Sequence, residues 1–482
     1  MSQKLIFYPL GNAETILFEM NNGEKILFDF AAMKNPSNDD NLYDIVEEFS
    51  EIDSFKVVMF THAHEDHTKG ASEFFYFEHA KKYQSEERKK IEELWISSAF
   101  LLDKDLENGA DAKVIRNEAR YRLKNDLGIK VFASPGSLDE WVEENELDWD
   151  VVKDKIVCAG DKWRLTTNQD TIEFFVHAPF SEDSEDVDDK NEPSIVLQMS
   201  CVNNQKATRI IITGDVPYSV LDKIVDISKY NGNEEYLKWN VYDIPHHCSY
   251  TGLNEKDDEE GEMIEPTDNI KWLLKQSEKD AYVIASCEKV TDKTAPPHMI
   301  AKKAYEYYTK NDVRFLATME YHNQKETIPE PIEFIIGSSG IELLSPENRY
   351  SYQNTEQFIE DKHIVTKEYY LKINCKVTMK GRKTFFLRNC PEKIIHRGRK
   401  LEFFIAETNC PQPYKVLWKV KNNGAEAEKR NCIRGELEEL DDSYSIKKES
   451  ADFQGKHYVE CYLIKNDKCV ASDRIDVCIS RV

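Results

Sequence analysis

Eleven cysteines are present, yet none stands in a C-x-x-C pair and together they form no compact framework. In a chain of 482 residues such scattered thiols read as reduced and mostly buried, the pattern of a cytosolic protein. Long apolar runs are missing as well. No stretch approaches membrane-spanning length, and the opening MSQKLIFYPLG lacks a charged segment followed by a long apolar one. A cytoplasmic location with no membrane partner is therefore expected. Internal repeats are absent. Positive charge is scarce: 64 Lys+Arg against 89 Asp+Glu leave −25, which argues against coating nucleic acid or anionic membrane by bulk charge.

That deficit is uneven. From residue 363 onward there are 24 basic and 17 acidic residues, a balance of +7. The first 362 residues then hold 64 − 24 = 40 basic and 89 − 17 = 72 acidic residues, or −32. Such asymmetry points to parts with separate jobs, and the length suits two or three domains. An apolar content of 40% is enough for real cores.

Residues 4–30 alternate short apolar runs with turn signals, and NNG between two of them is a hairpin signal. FKVVMFT is almost wholly apolar, as for a strand buried on both faces. The stretch from about 72 to 127, with EHAKKYQSEERKKIEELWISSAFLL at its centre, reads as helical. Strands resume with TIEFFVHAP, SIVLQMS, TRIIITGD and WNVYDIPHH. The acidic runs at 181–193 and 254–262 read as solvated excursions. AYVIAS, the helix HMIAKKAYEYYTKN, VRFLAT and IEFIIG close an α/β unit near residue 344.

Directly behind FKVVMF stands THAHEDH, with three of the chain's 12 histidines inside six residues. Side chains leaving a strand through a tight turn can converge, and imidazole with carboxylate suits zinc, manganese or iron. His62 and His64 can hold one ion, and the Asp66–His67 pair a second. Two such ions can share a water, lower its pKa and clamp a phosphoryl or acyl group. Further ligands must come from other strand ends, and three are available in order: His177, Asp215 and His246. Asp215 would bridge, with His62, His64 and His177 on one ion and Asp66, His67 and His246 on the other.

These residues resemble the metallo-β-lactamase superfamily, whose signature is the T-H-x-H-x-D-H turn. More narrowly they are similar to the hydrolase domain of ComEC-like proteins, through GNAETILF and ILFDFA with Asp29, HAPF…NEPSIVL, YDIPHHCS and, loosely, APPHM with His298. The resemblance covers roughly residues 4–344. It implies a four-layer αββα sandwich with metals at one sheet edge and a helical insertion at about 79–150. Cys248 stands where the family usually has glycine. The family pattern makes Asp29 a site organiser and favours His246 over His247 as ligand. His247 would then contact substrate or act as an acid. His298 could donate to a phosphate oxygen. Asp66, His247 and His298 are the candidate catalytic residues.

The tail, PQPYKVLWKVKNNGAEAEKRNCIRGEL and FQGKHYVECYLIKNDKCVASDRIDVCI, reads as a compact β-sandwich of about a hundred residues. Trp418, Asn422 and Arg434 offer a stacking face, an amide and a guanidinium, a set suited to a nucleobase and its phosphate. The same stretch strongly resembles the adenylyl/guanylyl and SMODS C-terminal sensor domain, over roughly 365–482, with Asn423 for the usual threonine. That family accompanies bacterial cyclic-oligonucleotide antiphage systems and is thought to sense nucleotide-like signals.

The organisation expected is a hydrolase domain over 1–345, a linker over 346–364 and a β-rich sensor over 365–482. The function expected is a two-metal phosphodiesterase or nuclease, most readily with zinc, gated by a nucleotide-like signal, with a homodimer as the assembly. The alternatives are a signal-binding regulator, or a hydrolase of free or cyclic nucleotides or of esters.

Overall fold

The computed structural model describes residues 3–34, 42–106, 110–134, 136–167, 170–180, 193–203, 206–255, 263–291, 295–322, 329–337, 340–344, 357–379, 382–389, 394–396, 398–423, 427, 434–439, 446–451 and 454–480. Nearly all of the acidic stretch 181–193, most of 254–262 and residues 346–356 of the expected linker lie outside these. The chain divides into two compact units, Met1–Leu344 and Ser345–Val482. Among the described residues no helix is long and apolar enough to cross a membrane.

The described residues of the first unit build two sheets. One has the strand order Gly340–Leu344, Ile332–Gly337, Gln3–Phe7, Ile16–Glu19, Lys25–Phe28, Ser54–Phe60, Lys90–Ser97, Ile129–Phe132, Ile156–Val157. The other runs Arg314–Ala317, Ser277–Ala285, Trp239–Asp243, Lys206–Ile212, Val196–Asn203, Thr171–Ala178, Lys162–Thr166. Their facing sides share one core, with Phe28, Val57, Met59 and Trp95 against Phe174, Leu197, Ile210 and Val241. Helices cover the outer sides. Ile115, Ala119 and Leu123 of Asp111–Lys124 pack over Val58 and Ile96. Leu221 and Ile224 of Tyr218–Asn231, with Ala301 and Ala304 of Met299–Tyr308, pack over Ile211 and Val283. The layer order is αββα.

Ser54–Phe60 shows why its sequence is so apolar. It pairs in parallel with Lys25–Phe28 on one side and Lys90–Ser97 on the other, so both faces are buried: Val57 and Met59 between the sheets, Val58 and Phe60 under helices.

The region 79–150 contains the expected helices, notably Asp111–Lys124 and Asp139–Glu144, but KIEELWIS within it is the strand Lys90–Ser97. The Lys/Glu-rich composition favours a helix locally. Parallel pairing with Ser54–Phe60 and burial of Ile91, Leu94, Trp95 and Ile96 override it.

The second unit is a β-sandwich. A sheet ordered Ile364–Val365, Lys468–Ser480, Gly455–Lys465, Lys415–Lys421, Leu437–Glu439 faces one ordered Arg382–Phe386, Leu371–Met379, Lys400–Thr408, Lys447–Ser450. Ile373, Val377 and Phe403 meet Trp418, Val459 and Val477 between them. This unit's folded part begins before residue 365. Ile359, at the start of the short helix Ile359–Lys362, is buried with Leu417, Tyr462 and Ile464 on the outer side of the first of these sheets.

Candidate metal centre

The T-H-x-H-x-D-H turn leaves Ser54–Phe60 at the sheet end. Thr61 is its first residue, and its backbone N and Oγ1 donate to Asp29 Oδ1 and Oδ2 at 2.8 and 2.7 Å. Asp29, which follows Lys25–Phe28 with φ of +55°, also accepts from His67 Nδ1 at 2.7 Å. One buried carboxylate thus ties two strand ends together and fixes the tautomer of His67, leaving Nε2 to face inward. The short helix Glu65–Thr68 carries Asp66 and His67 round the turn, braced by Thr68 Oγ1 on His64 O at 2.8 Å.

Asp215 arrives from the other sheet through Gly214. That glycine has φ of +55°, and a Cβ there would stand 3.0 Å from Thr61 Cβ, so a side chain would be strained and would push the two strand ends apart. Asp215 meets two groups. Its Oδ2 lies 3.7 Å from His62 Nε2, which is 3.1 Å from His64 Nδ1. Its Oδ1 lies 3.2 Å from His67 Nε2 and 3.7 Å from His247 Nε2, and His247 Nε2 is 3.2 Å from Asp66 Oδ2. Within each set, His62–His64–Asp215 and Asp66–His67–Asp215–His247, the donor atoms all lie within 4.8 Å of one another.

The histidine that joins this cluster is His247, not His246. Three successive residues, His246, His247 and Cys248, have positive φ, and the resulting bend turns His247 toward Asp66. His247 Nδ1 donates to Ser286 O at 2.7 Å, so Nε2 is again the inward atom. His246 instead places Nδ1 3.3 Å from Thr251 Oγ1. His177 also stands apart from both sets: its Nε2 is 3.0 Å from Tyr236 O, and burial lowers its pKa to about 4. His298 caps the same loop, its N donating to Cys248 O and its Nδ1 accepting from Tyr250 N at 3.3 Å.

The donor set suits a cation. His67 Nε2 is buried with no hydrogen-bond partner among the described residues. Burial, then the neighbouring His67 charge, push the pKa of His62 well down, so it is a neutral ligand at ordinary pH. Burial works against charge at Asp215 too, but His247 and His67 outweigh it and hold the carboxylate ionised. For His247, Asp215 and Asp66 overcome burial and raise the pKa to about 9, which measures how strongly the carboxylates draw positive charge. A mixed imidazole–carboxylate set of this kind matches zinc, manganese or iron. Access is from the side of His64 and Asp66, the partly exposed members; Asp66 is 31% exposed.

Sequence reasoning assigned no role to Thr61, Ser286 or Glu14. Thr61 stands inside the motif, so its position was visible. Ser286 contributes only a carbonyl, for which no residue type codes. Glu14 donates its backbone N to Asp66 O at 3.1 Å, and its side chain, raised in pKa by burial and Asp243, lies behind His67.

In the second unit the three candidate sensing residues do not form one exposed face. Trp418 lies in the sandwich core, fully buried, because the pleat of Lys415–Lys421 turns even-numbered residues inward. The Arg434 guanidinium is engaged by Glu449, Glu438 and Glu436 at 2.7, 2.9 and 3.3 Å. Asn422 is half-buried just past the end of that strand.

No curated protein matches the chain. Among solved structures, similar ones include the metallo-beta-lactamase SMB-1 bound to 2-mercaptoethanesulfonate, at 12% identity and TM-score 0.20 over 49% of this chain and 78% of that one. BJP-1, a subclass B3 metallo-beta-lactamase of Bradyrhizobium japonicum, is 16% identical with TM-score 0.25 over 54% of this chain and 83% of its own. Scores this low carry no weight beside the layer order itself. Residues 353–480 match the family described as the adenylyl/guanylyl and SMODS C-terminal sensor domain. After an αββα sandwich whose strand ends gather a candidate metal cluster, the chain carries at its C-terminus a sensor domain of the adenylyl/guanylyl and SMODS family.

Proposed function

We propose that this protein is a two-metal phosphodiesterase or nuclease, an effector of prokaryotic antiviral defence switched by a nucleotide-type signal at its C-terminal domain. The observation that carries the hydrolase reading is the sharing of Asp215 between two ligand sets. Two ions bound there, zinc in the first instance, supply Lewis acidity toward a phosphoryl oxygen and a water of lowered pKa. The chain's own residues do the rest. Asp29 and Ser286 O hold His67 and His247 with their Nε2 atoms inward. Burial keeps His62 unprotonated. His298, seven per cent exposed and hydrogen-bonded to the 248–250 backbone, is the residue proposed to donate a proton to a leaving or non-bridging oxygen.

A second reading, hydrolysis of free or cyclic nucleotides, is favoured by the charge of −32 over residues 1–362, which repels a long polyanion more than a small one. Metal-loaded protein incubated with plasmid DNA, RNA, nucleotides, cyclic oligonucleotides and a simple ester separates these. His64→Ala/Asp66→Ala protein is the control, and each reaction is run with and without candidate nucleotide signals. Phosphodiester cleavage lost in the control supports the proposal. Ester cleavage alone, under every condition, refutes it.

A further inference from the structure

The pleat that hides Trp418 turns a different set to the other face of the sheet. On Lys415–Lys421 the odd-numbered residues Leu417, Lys419 and Lys421 lie on the face of the sheet away from the sandwich core. Strand register places Lys421 beside Tyr458 and Lys419 beside Glu460, and Glu460 beside Arg474. The Arg474 guanidinium lies 3.6 Å from the centroid of the Tyr458 ring, with Nε donating to Asp476 Oδ1 at 2.9 Å and Nη1 3.9 Å from Glu460, while its side chain stays 51% exposed. Lys419, by contrast, is almost wholly covered. Its ammonium is 2.9 Å from Glu460 and lies 5.2 and 5.7 Å from the Phe358 and Tyr458 rings. Phe358 is itself 51% exposed.

Covering the Lys419 ammonium costs desolvation, which Glu460, Gln357 O at 3.4 Å and the two rings offset. A half-exposed phenylalanine held over a cation gains less than one in a core. Together the groups have a recognisable chemistry: a planar guanidinium backed by a ring, a second open ring nearby, and two lysines within the same few residue positions. Arginine is weakly hydrated on its faces and stacks on π-systems, and lysine serves phosphate as a point charge. Bases stack on such platforms with little sequence demand.

We infer that this outer face, built from Phe358, Lys421, Tyr458 and Arg474 above the covered Lys419, is the nucleotide-binding site of the sensor domain, with the base against Arg474–Tyr458 or Phe358 and the phosphate toward Lys421. The inference rests on the sensing role proposed above and relocates it from Trp418 and Arg434. Phe358 directly precedes Ile359–Lys362, whose Ile359 is buried on the same face, and this is the first described segment after residues 345–356.

The test is calorimetric titration of the full chain with ribonucleoside triphosphates and with 3′–5′ cyclic di- and trinucleotides. At least one should bind, and Arg474→Ala and Phe358→Ala should each weaken it by about tenfold or more. Both residues are half exposed, so their unfolding temperatures should match the parent. Arg474→Lys, which keeps the charge and loses the plane, should weaken binding as well. If a nucleotide binds the parent and every variant within about twofold, this face is wrong and the sensing role survives. If no nucleotide in either class binds the parent, the sensing role fails and the inference with it.

Discussion

His246 and His247 are adjacent, but only one of them has a nitrogen turned toward Asp66 and Asp215. His247→Ala should therefore weaken metal binding severely, and His246→Ala should leave it close to the parent, as read by competition with a chromogenic chelator. Asp29→Asn is subtler. It keeps the size of the side chain but cannot accept from Thr61 N, Thr61 Oγ1 and His67 Nδ1 as a carboxylate does. Loss of such an outer partner costs roughly 10–100-fold in metal affinity, and that range is the expectation here. His62, His64, Asp66 and His67 could be read from the sequence because they share one short turn, and Asp215 because it ends an apolar strand. The choice between His246 and His247 could not, because it depends on three consecutive positive φ angles that no residue type there announces. His177 misled for a different reason: a histidine at a strand end looks the same whether it faces an ion or a carbonyl such as Tyr236 O.

Among the elements, Asp111–Lys124 is tied to the sheet by charge as well as by its apolar side. Glu118 accepts from Arg122 Nε at 2.7 Å, and Arg122 also donates to Gly128 O and Ile91 O, both at 2.9 Å. Glu118 and Arg122 are both buried, so Glu118→Ala should cost about 3–5 kcal/mol in denaturant unfolding by leaving the guanidinium unpaired. Burial opposes the Glu118 charge, but His79 and Arg122 outweigh it and hold its pKa below the unfolded value. Its contribution is thus complete above the ordinary carboxylate range and fades as pH falls through the lowered pKa. Glu118→Gln should flatten that acid limb. Strand Lys90–Ser97 marks where reading elements from sequence fails. A run rich in Lys and Glu has helical propensity, and only its two parallel neighbours make it a strand. FKVVMF, apolar except for Lys56, had no such competing signal.

Over the whole molecule, the split of charge, −32 before residue 363 and +7 after it, was legible in composition alone and has a kinetic consequence. If the substrate is a polynucleotide, association with the acidic hydrolase unit meets like-charge repulsion that salt screens. Cleavage at low substrate should then rise between about 20 and 150 mM salt, the reverse of the usual loss for nucleic-acid-binding proteins. A small nucleotide substrate should show a much flatter profile. The two-unit architecture was equally open to sequence reasoning, through the contrast between alternating strands and helices and an all-strand tail. What escaped it was the sidedness of the tail. Tryptophan draws attention as a stacking surface, but an alternation of one residue decides whether Trp418 or Lys419 meets solvent's side of the sheet.

Asp215 has one oxygen toward each ligand set, and this makes occupancy a matter of order. The set with Asp66, His67 and His247 brings a second carboxylate; the set with His62 and His64 does not. A first ion would be held preferentially by the former, whose two carboxylates offer more negative charge than the latter's one. Stepwise titration with zinc, followed by calorimetry and mass, should resolve two separated affinities rather than one doubled event.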